Sequence, residues 1–446
     1  MKMMLDELLK LMEATGHLNS VQEIILRQAW DGRTYGDMAE EHHFDADYLK
    51  KVAHKLWRVV SALLGKSISK ASFRSIVESL NMTAQHQQLI ANYNNHSLVK
   101  TASNFNPLEF PGSFLSLGSA FYIERPPLEI NAYREIEQPG SILWIKAPQK
   151  TGKSSLLERI IARVTSQGYH TVYIDFQQLE TASLINLNQF LRWLCVNMAQ
   201  QMELEPRLED FWDDEIGSKI SCARYFKQYL LPHSHSPLVM SWDGIHLLFQ
   251  SPQMIQEMLL FLRSWYEEAK RVEVMKKLRF ILVHSTEVEI PSYSSLLTHI
   301  GLPIKLLPFT LEQMQDLALR YQLDWVVGEN GIKKLQALQI LLGGHPYLVQ
   351  LAFYHLAQAE ITLEQLLQDA PTLSGIYSDY LRHYLILLQA QPELAIAFKQ
   401  VVNTEKSIKL NPLTADLLQN MGLVKITGNL VRPSCQLYQL YFATHL

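Results

Sequence analysis

The triplet Gly152-Lys153-Ser154 stands where an apolar run, SILWIK from Ser141, gives way to LLERIIARV at helical spacing. A strand, a turn and a helix in that order form an anion cradle. The backbone N–H groups of Gln149, Lys150, Thr151 and Gly152 would line it, backed by the helix N-terminus. Lys153 would bring a point charge to β- and γ-phosphates and Ser154 a hydroxyl to Mg²⁺, with Ser155 in the first helical turn. The usual pattern is GxxxxGK[ST]; here Ala147, the smallest substitute, stands at the first glycine. The expected ligand is a nucleoside triphosphate with Mg²⁺.

Such a loop needs an acid at the end of another central strand to orient the metal, normally followed by a glutamate that polarises the attacking water. PLVMSWDGIHLLF supplies the strand and Asp243 but has Gly244 at the glutamate position. Binding without efficient hydrolysis is the expectation. Replacing Gly244 by Glu would restore the acid, provided the backbone there does not need a positive φ. A third apolar run, LRFILVHSTE, ends in Ser285-Thr286, where a hydroxyl would sense a γ-phosphate or merely form a turn. Gly344-His345-Pro346 lies between two helical patterns; His345 could contact nucleotide, but the residues alone favour a helix junction with Pro346 in the first turn.

The elements that must hold these residues follow from periodicity. SILWIK, TVYIDF, PLVMSW and LRFILVHS alternate with helical stretches, including a long one from Asn188 to Leu231 and another from Met254 to Lys270. That alternation argues a three-layer α/β core with a parallel sheet. Five segments are expected: a helix-turn-helix domain over 1–82, a polar linker over 83–112, the core over 113–307, a helical lid over 308–390 and a winged helix over 391–446. The last rests on LVKITGNLVRPS, two short strands about Gly428-Asn429, flanked by helices.

Composition narrows the function classes. At 446 residues with 48% hydrophobic content the chain can form several cores, and its net charge of −4 excludes a globally basic nucleic-acid binder. No apolar run reaches the ~18 residues of a membrane span, and Met1 to Lys10 lacks a signal peptide's apolar centre, so a cytoplasmic protein without membrane contact is expected. Cys195, Cys222 and Cys435 are far apart in sequence and offer neither a zinc site nor a disulfide framework.

Taken together, SAFYIERPPLE at 119–129, APQKTGKSSLL at 147–157, the strand and turn at 238–249, VHSTE at 283–287, LLGGHPYLVQLA at 341–352 and the closing MGLVKITGNLVRPSCQLYQLYF resemble the AAA-like P-loop ATPases found mainly in cyanobacteria, akin to STAND and Cdc6-like ATPases. The resemblance runs from Ser119 to Leu446 and implies ATP as the nucleotide. It also implies that His345 and Pro346 lie where a lid residue closes over it. The family pattern Asp-Glu-hydrophobic-Asp is Asp243-Gly244-Ile245-His246 here, so both later acids are missing. Asp175 and Glu287 are the candidates to replace the absent base.

The stretch LNSVQEIILRQAWDGRTYGDMAEEHHFDADYLKKVAHKLWRVVSALLG resembles the helix-turn-helix module that precedes such ATPases and von Willebrand/MoxR-associated proteins. Ser20 is the expected cap of its first helix, the turn falls at Asp31-Gly32-Arg33, and a break falls at Phe44-Asp45. The last helix carries Leu49, Val52, Leu56, Val60 and Leu63 on one face and Lys50, Lys51, His54, Lys55 and Arg58 on the other. From Lys50 to Arg74 there are seven Lys/Arg and no acid, a run suited to duplex DNA. An ATP-binding switch acting on DNA through 1–82 is the leading expectation. A ring-forming ATPase self-associating through its core is the second, and a signalling or defence scaffold whose helix-turn-helix binds protein is the third. The signalling partner is not named by the sequence.

Overall fold

A computed structural model describes residues 4–14, 20–42, 46–80, 83, 108–179, 186–287 and 300–446. The Phe44-Asp45 break and most of the polar linker lie outside the described residues. Among the described residues, five helices come first: α1 (Leu5–Ala14), α2 (Ser20–Trp30), α3 (Tyr35–His42), α4 (Ala46–Leu64) and α5 (Phe73–Ser79). Then α6 (Leu128–Ile136), β1 (Ile142–Ala147), α7 (Lys153–Ser166), β2 (His170–Asp175), α8 (Leu187–Gln201), α9 (Ser218–Tyr225), β3 (Leu238–Asp243), α10 (Pro252–Ala269), β4 (Leu278–Ser285) and β5 (Leu302–Lys305) alternate. Four more helices follow, α11 (Leu311–Arg320), α12 (Gly328–Leu342), α13 (Pro346–Ala357) and α14 (Leu363–Asp369). The chain closes with α15 (Ser378–Gln389), α16 (Pro392–Val402), α17 (Pro412–Asn420), the hairpin β6 (Val424–Thr427) and β7 (Leu430–Pro433), and α18 (Gln436–His445). Among the described residues, no helix is long and apolar enough to cross a membrane.

These elements form two compact units: 1–112 with 309–344 and 348–369, and 113–308 with 345–347 and 370–446. In the first, Leu49, Ala53, Leu56 and Val60 form the buried stripe of α4 and meet Val21, Ile25, Leu26 and Met38 from α2 and α3. The entry to α3 is fixed by a reciprocal cap, with Asp37 N donating to Thr34 Oγ1 at 3.1 Å and Thr34 N donating to the Asp37 carboxylate at 2.8 Å. Trp57 Nε1 donates to Tyr35 OH at 2.7 Å and ties α4 to α3. Leu319 of α11 packs against this same cluster, so the helical stretch after Pro308 and the amino-terminal helices share one core.

In the second unit the sheet is parallel throughout, in the order β2-β3-β4-β1-β5. Side chains alternate across it, as a strand of period two requires. Ile142 and Trp144 face a core built with α8, α9 and α10, while Leu143, Ile145 and Ala147 face one built with α6 and α7. Helices on both faces explain why the inner strands β1, β3 and β4 are almost unbroken buried runs. The α/β core expected from the alternation is thus present, with two differences. A fifth strand, β5, pairs with β1, and the helical region from Asn188 to Leu231 is interrupted between Gln201 and Ser218, with one short turn of helix at Leu208–Asp210.

The three carboxy-terminal helices α16 to α18 surround the β6–β7 hairpin, which pairs Val424 with Pro433 and turns at Gly428 (φ +60°). A further antiparallel bridge joins Ile408 to Val431, and Phe398 meets Phe442 with ring centroids 5.2 Å apart. This is the helix-and-wing arrangement read from LVKITGNLVRPS.

Candidate functional site

The loop after β1 has the backbone of an anion nest. Lys150 (φ +58°) and Gly152 (φ +98°) both lie in the left-handed region, the conformation that turns successive N–H groups into one concavity. Space at 152 is tight as well. A Cβ there would lie 3.0 Å from Nη2 of Arg125, whose Nη1 donates to the carbonyls of Thr151 at 3.0 Å and Leu307 at 3.4 Å. Arg125 is buried, and its backbone N–H and the Tyr122 hydroxyl both donate to Glu129 Oε1, at 2.8 and 3.0 Å. The segment SAFYIERPPLE therefore braces the loop from outside. Thr151 Oγ1 closes it from within by donating to the Pro148 carbonyl at 2.8 Å.

Lys153 opens α7, and its Nζ donates to the carbonyls of Ala147 at 3.1 Å and Pro148 at 2.7 Å. Burial pushes its ammonium down to about 8, while the carboxylates of Glu287 and Asp243 pull the other way. Ser154 Oγ lies 3.4 Å from Asp243 Oδ2, which also accepts from Tyr173 OH at 3.2 Å. Burial raises the Asp243 carboxyl pKa, and the Tyr173 hydrogen bond and Lys153 oppose that rise. Ser154 and Asp243 thus converge although 89 residues separate them. Ser155 is buried, and its hydroxyl accepts from Leu115 N at 2.9 Å, so its side chain ties down the chain that enters the core.

The strand order explains the convergence. With β4 between β1 and β3, Ala147 pairs with Ser285 and Asp243 with Val283, so all three strands end at one edge. Ser285 Oγ is buried and, among the described residues, has no hydrogen-bond partner. Gly244 has φ +80°, a conformation that side chains adopt at a cost. The proviso attached to restoring a glutamate there is therefore not met. Asp175 sits beside Asp243 across the β2–β3 register but accepts from Gln177 N at 2.9 Å, capping its own turn.

Glu287 is placed differently. Its Oε1 accepts from Gln149 N at 3.0 Å and from Tyr384 OH at 2.5 Å, and its Oε2 from the Gln149 side-chain amide, which also meets His383. Lys150 Nζ lies 4.0 Å from the Tyr347 ring centroid. Pro346 begins α13, the helix junction that the residues alone favoured. His345 faces the same surroundings: burial and the charges of Lys153, Lys150 and Arg125 push its pKa down to about 3, so it is neutral. Its Nε2 shares a hydrogen bond with Tyr380 OH at 3.2 Å, and its Nδ1 is buried without a partner among the described residues. The tail of α17 also reaches the loop. Thr286 Oγ1 donates to the Asn420 carbonyl at 2.5 Å, and a Cβ on Gly422 (φ +76°) would lie 2.9 Å from Pro148 Cγ. Arg125, Tyr173, Tyr380, Tyr384 and His383 were not singled out from the sequence. Arg125 lay in a family motif and Tyr173 in the TVYIDF strand run, while Tyr380 and Tyr384 are ordinary core residues of a helical stretch until the fold joins them.

In the other unit, α4 presents Lys50, Lys51, His54, Lys55 and Arg58 as exposed side chains opposite its buried stripe. Lys50 pairs with Asp47 at 2.9 Å. Lys70 lies over the Tyr35 ring at 4.7 Å and Arg74 pairs with Glu78 at 2.9 Å, so these two members of the basic run make contacts within their own unit.

Two family models match the chain, and the longer takes in residues of both units. The model of the AAA-like domain matches residues 110–444, and that of the vWA-MoxR associated protein N-terminal HTH matches residues 2–80. No curated protein matches the chain. Among solved structures, the Walker-type ATPase PABY2304 of Pyrococcus abyssi is similar at 13% identity and a TM-score of 0.50, covering 72% of this chain and 96% of its own. The Aeropyrum pernix ORC2 protein, solved as ADPNP-ADP complexes, aligns at 14% identity and a TM-score of 0.41, over 72% of this chain and 95% of its own. With its phosphate loop at the edge of a five-stranded parallel sheet and a family match over three quarters of its length, the chain belongs to the AAA-like domain family of P-loop ATPases and carries an N-terminal helix-turn-helix domain.

Proposed function

We propose that the chain is an ATP-binding regulatory switch whose nucleotide state governs a DNA-binding helix-turn-helix domain, with hydrolysis weak or absent. The observation that carries this reading is the pairing of a complete cradle with an incomplete acid set. Lys153, the left-handed loop and the Ser154/Asp243 pair are in place, while the position after Asp243 is a glycine in a left-handed conformation. The chemistry of the donor set fits ATP with Mg²⁺. Lys153 would neutralise β- and γ-phosphates, the amides of residues 149–155 would take phosphate oxygens, and Ser154 with Asp243 would hold the metal. The metal would screen charge on the phosphates. Ser285 Oγ and His345 Nδ1, buried without a partner among the described residues, are polar atoms available to the nucleotide.

The DNA-binding half of the reading rests on the exposed basic face of α4, and the regulatory half on Leu319, which places a helix after Pro308 in the same core as the helix-turn-helix. Duplex DNA is the proposed partner, and self-association through the core would accompany it if nucleotide sites meet between copies. The full chain should bind DNA with an affinity that falls steeply with salt and differs between its ATP- and ADP-loaded forms. DNA binding indifferent to nucleotide would remove the switch. No DNA binding at low salt would favour a scaffold whose helix-turn-helix docks protein, and rapid ATP turnover would favour the ATPase motor.

A further inference from the structure

Glu287 follows the sensor strand, and its carboxylate is anchored from two sides. Both of its oxygens take donors from Gln149, the backbone N–H and the side-chain amide. The first of these donors belongs to the phosphate loop itself. A carboxylate on that amide is an anion supplied by the chain at the mouth of a cradle built for anions. On its far side a chain of buried hydroxyls holds it. Tyr384 OH donates to Glu287 Oε1 at 2.5 Å and lies 3.5 Å from the hydroxyl of Tyr380, which in turn meets Tyr438 OH at 3.1 Å and His345 Nε2 at 3.2 Å. Tyr384 gives its only proton to Glu287 and so can only accept from Tyr380, while the Tyr380 contacts with Tyr438 and His345 Nε2 run in either direction. Glu287 therefore ties the phosphate loop to α15 and, through Tyr438, to α18. Thr286 and Gly422 hold α17 to the same place.

We propose that Glu287 is the residue that selects between nucleotides: its carboxylate competes with a terminal phosphate for the Gln149 N–H and repels it, so that the chain favours ADP until ATP displaces the carboxylate and releases Tyr384. This rests on nucleotide binding at the loop, as argued above. ADP has one phosphate fewer near the carboxylate and feels less repulsion. A released Tyr384 loses its acceptor, which loosens the hydroxyl chain that joins α15 to α18. The tyrosine acts through Glu287 and is a positioning residue.

The test is calorimetric titration of the full chain with Mg²⁺ and either ADP or a non-hydrolysable ATP analogue. Glu287→Gln should tighten the ATP analogue about tenfold and ADP by no more than about threefold. Tyr384→Phe, which keeps the ring, should shift ATP affinity in the same direction by about threefold, with an unchanged circular dichroism spectrum. In the wild type, the ATP analogue but not ADP should speed amide hydrogen exchange in α17 and α18. Equal shifts for both nucleotides in Glu287→Gln, or weaker ATP binding, would overturn the proposal. So would unchanged affinities with slower hydrolysis, which would make Glu287 the base instead. Lys153→Ala is the control: if wild type and Lys153→Ala bind neither nucleotide, the nucleotide site itself fails and the selection falls with it, whereas wild-type binding without a Glu287 effect sinks the selection alone.

Discussion

Lys153 and Lys55 bring the same side chain into opposite surroundings. Lys153 is buried at the head of α7, donates to two backbone carbonyls and has its pKa drawn down to about 8. Lys55 stands exposed on α4, one turn from Lys51 and close to Arg58. A buried cation is a poised group, whose strength depends on its own protonation and on neighbouring carboxylates. An exposed basic row acts as a sum of charges, each screened by salt over ~10 Å at 0.1 M. The two candidate sites of this chain should therefore answer to different variables, the loop to pH and the helix to ionic strength.

The largest effect should come from reversing the exposed row. Lys51→Glu with Lys55→Glu should lower DNA affinity of the full chain at least ~100-fold at low salt and flatten the log–log salt slope by about two, without unfolding α4, since neither residue lies on its buried stripe. Filter binding over a salt series reads this, and a variant that still binds with the original slope would break the comparison.

At the loop, Lys153→Ala should weaken ATP at least about tenfold, or ~1.4 kcal/mol, by calorimetry. Raising pH should mimic it in part. Phosphate binding favours the charged lysine, so above pH ~8 binding must take up a proton, and ATP affinity should fall by up to about tenfold per pH unit. The same group gives stability the opposite sign. Its folded pKa lies below the ordinary lysine value, so burying the charge costs most below about pH 8, and that cost disappears as pH rises towards the unfolded value. DNA binding should stay nearly flat from pH 7.5 to 9, and a matching decline there would erase the distinction.

The smallest effect concerns Gly244. Its φ of +80° makes Gly244→Glu cost ~1–2 kcal/mol in thermal or urea unfolding. Turnover should remain far below ~1 s⁻¹, the low end of ordinary enzyme rates. Brisk hydrolysis by the wild type, lost in Lys153→Ala, would overturn the slow-switch reading.

What the sequence disclosed follows from the range of each signal. β1, the loop and α7 were legible because the apolar run, the Gly-Lys-Ser and the helical period follow one another without interruption between Ser141 and Val164. The hairpin about Gly428 and the two faces of α4 were legible for the same reason. β5 was not, since Leu302–Lys305 is four residues long, contains Pro303 and buries only one of them deeply. Nor was the insertion of β4 between β1 and β3, because strand order leaves no local mark. Glu287 was read as a candidate base. Its partners Gln149 and Tyr384 are 138 and 97 residues away, a distance no periodicity spans.

Gly422 touches Pro148 so closely that the two positions make up one steric variable. Even alanine at 422 would demand a shorter residue at 148 or a shift of the phosphate loop, besides the strain of its positive φ. Substitutions at this pair should therefore be strongly non-additive, with a double change tolerated where either single change is not. Bulk added at the end of α17 would be felt first at the phosphate loop and only afterwards in the core of the carboxy-terminal helices.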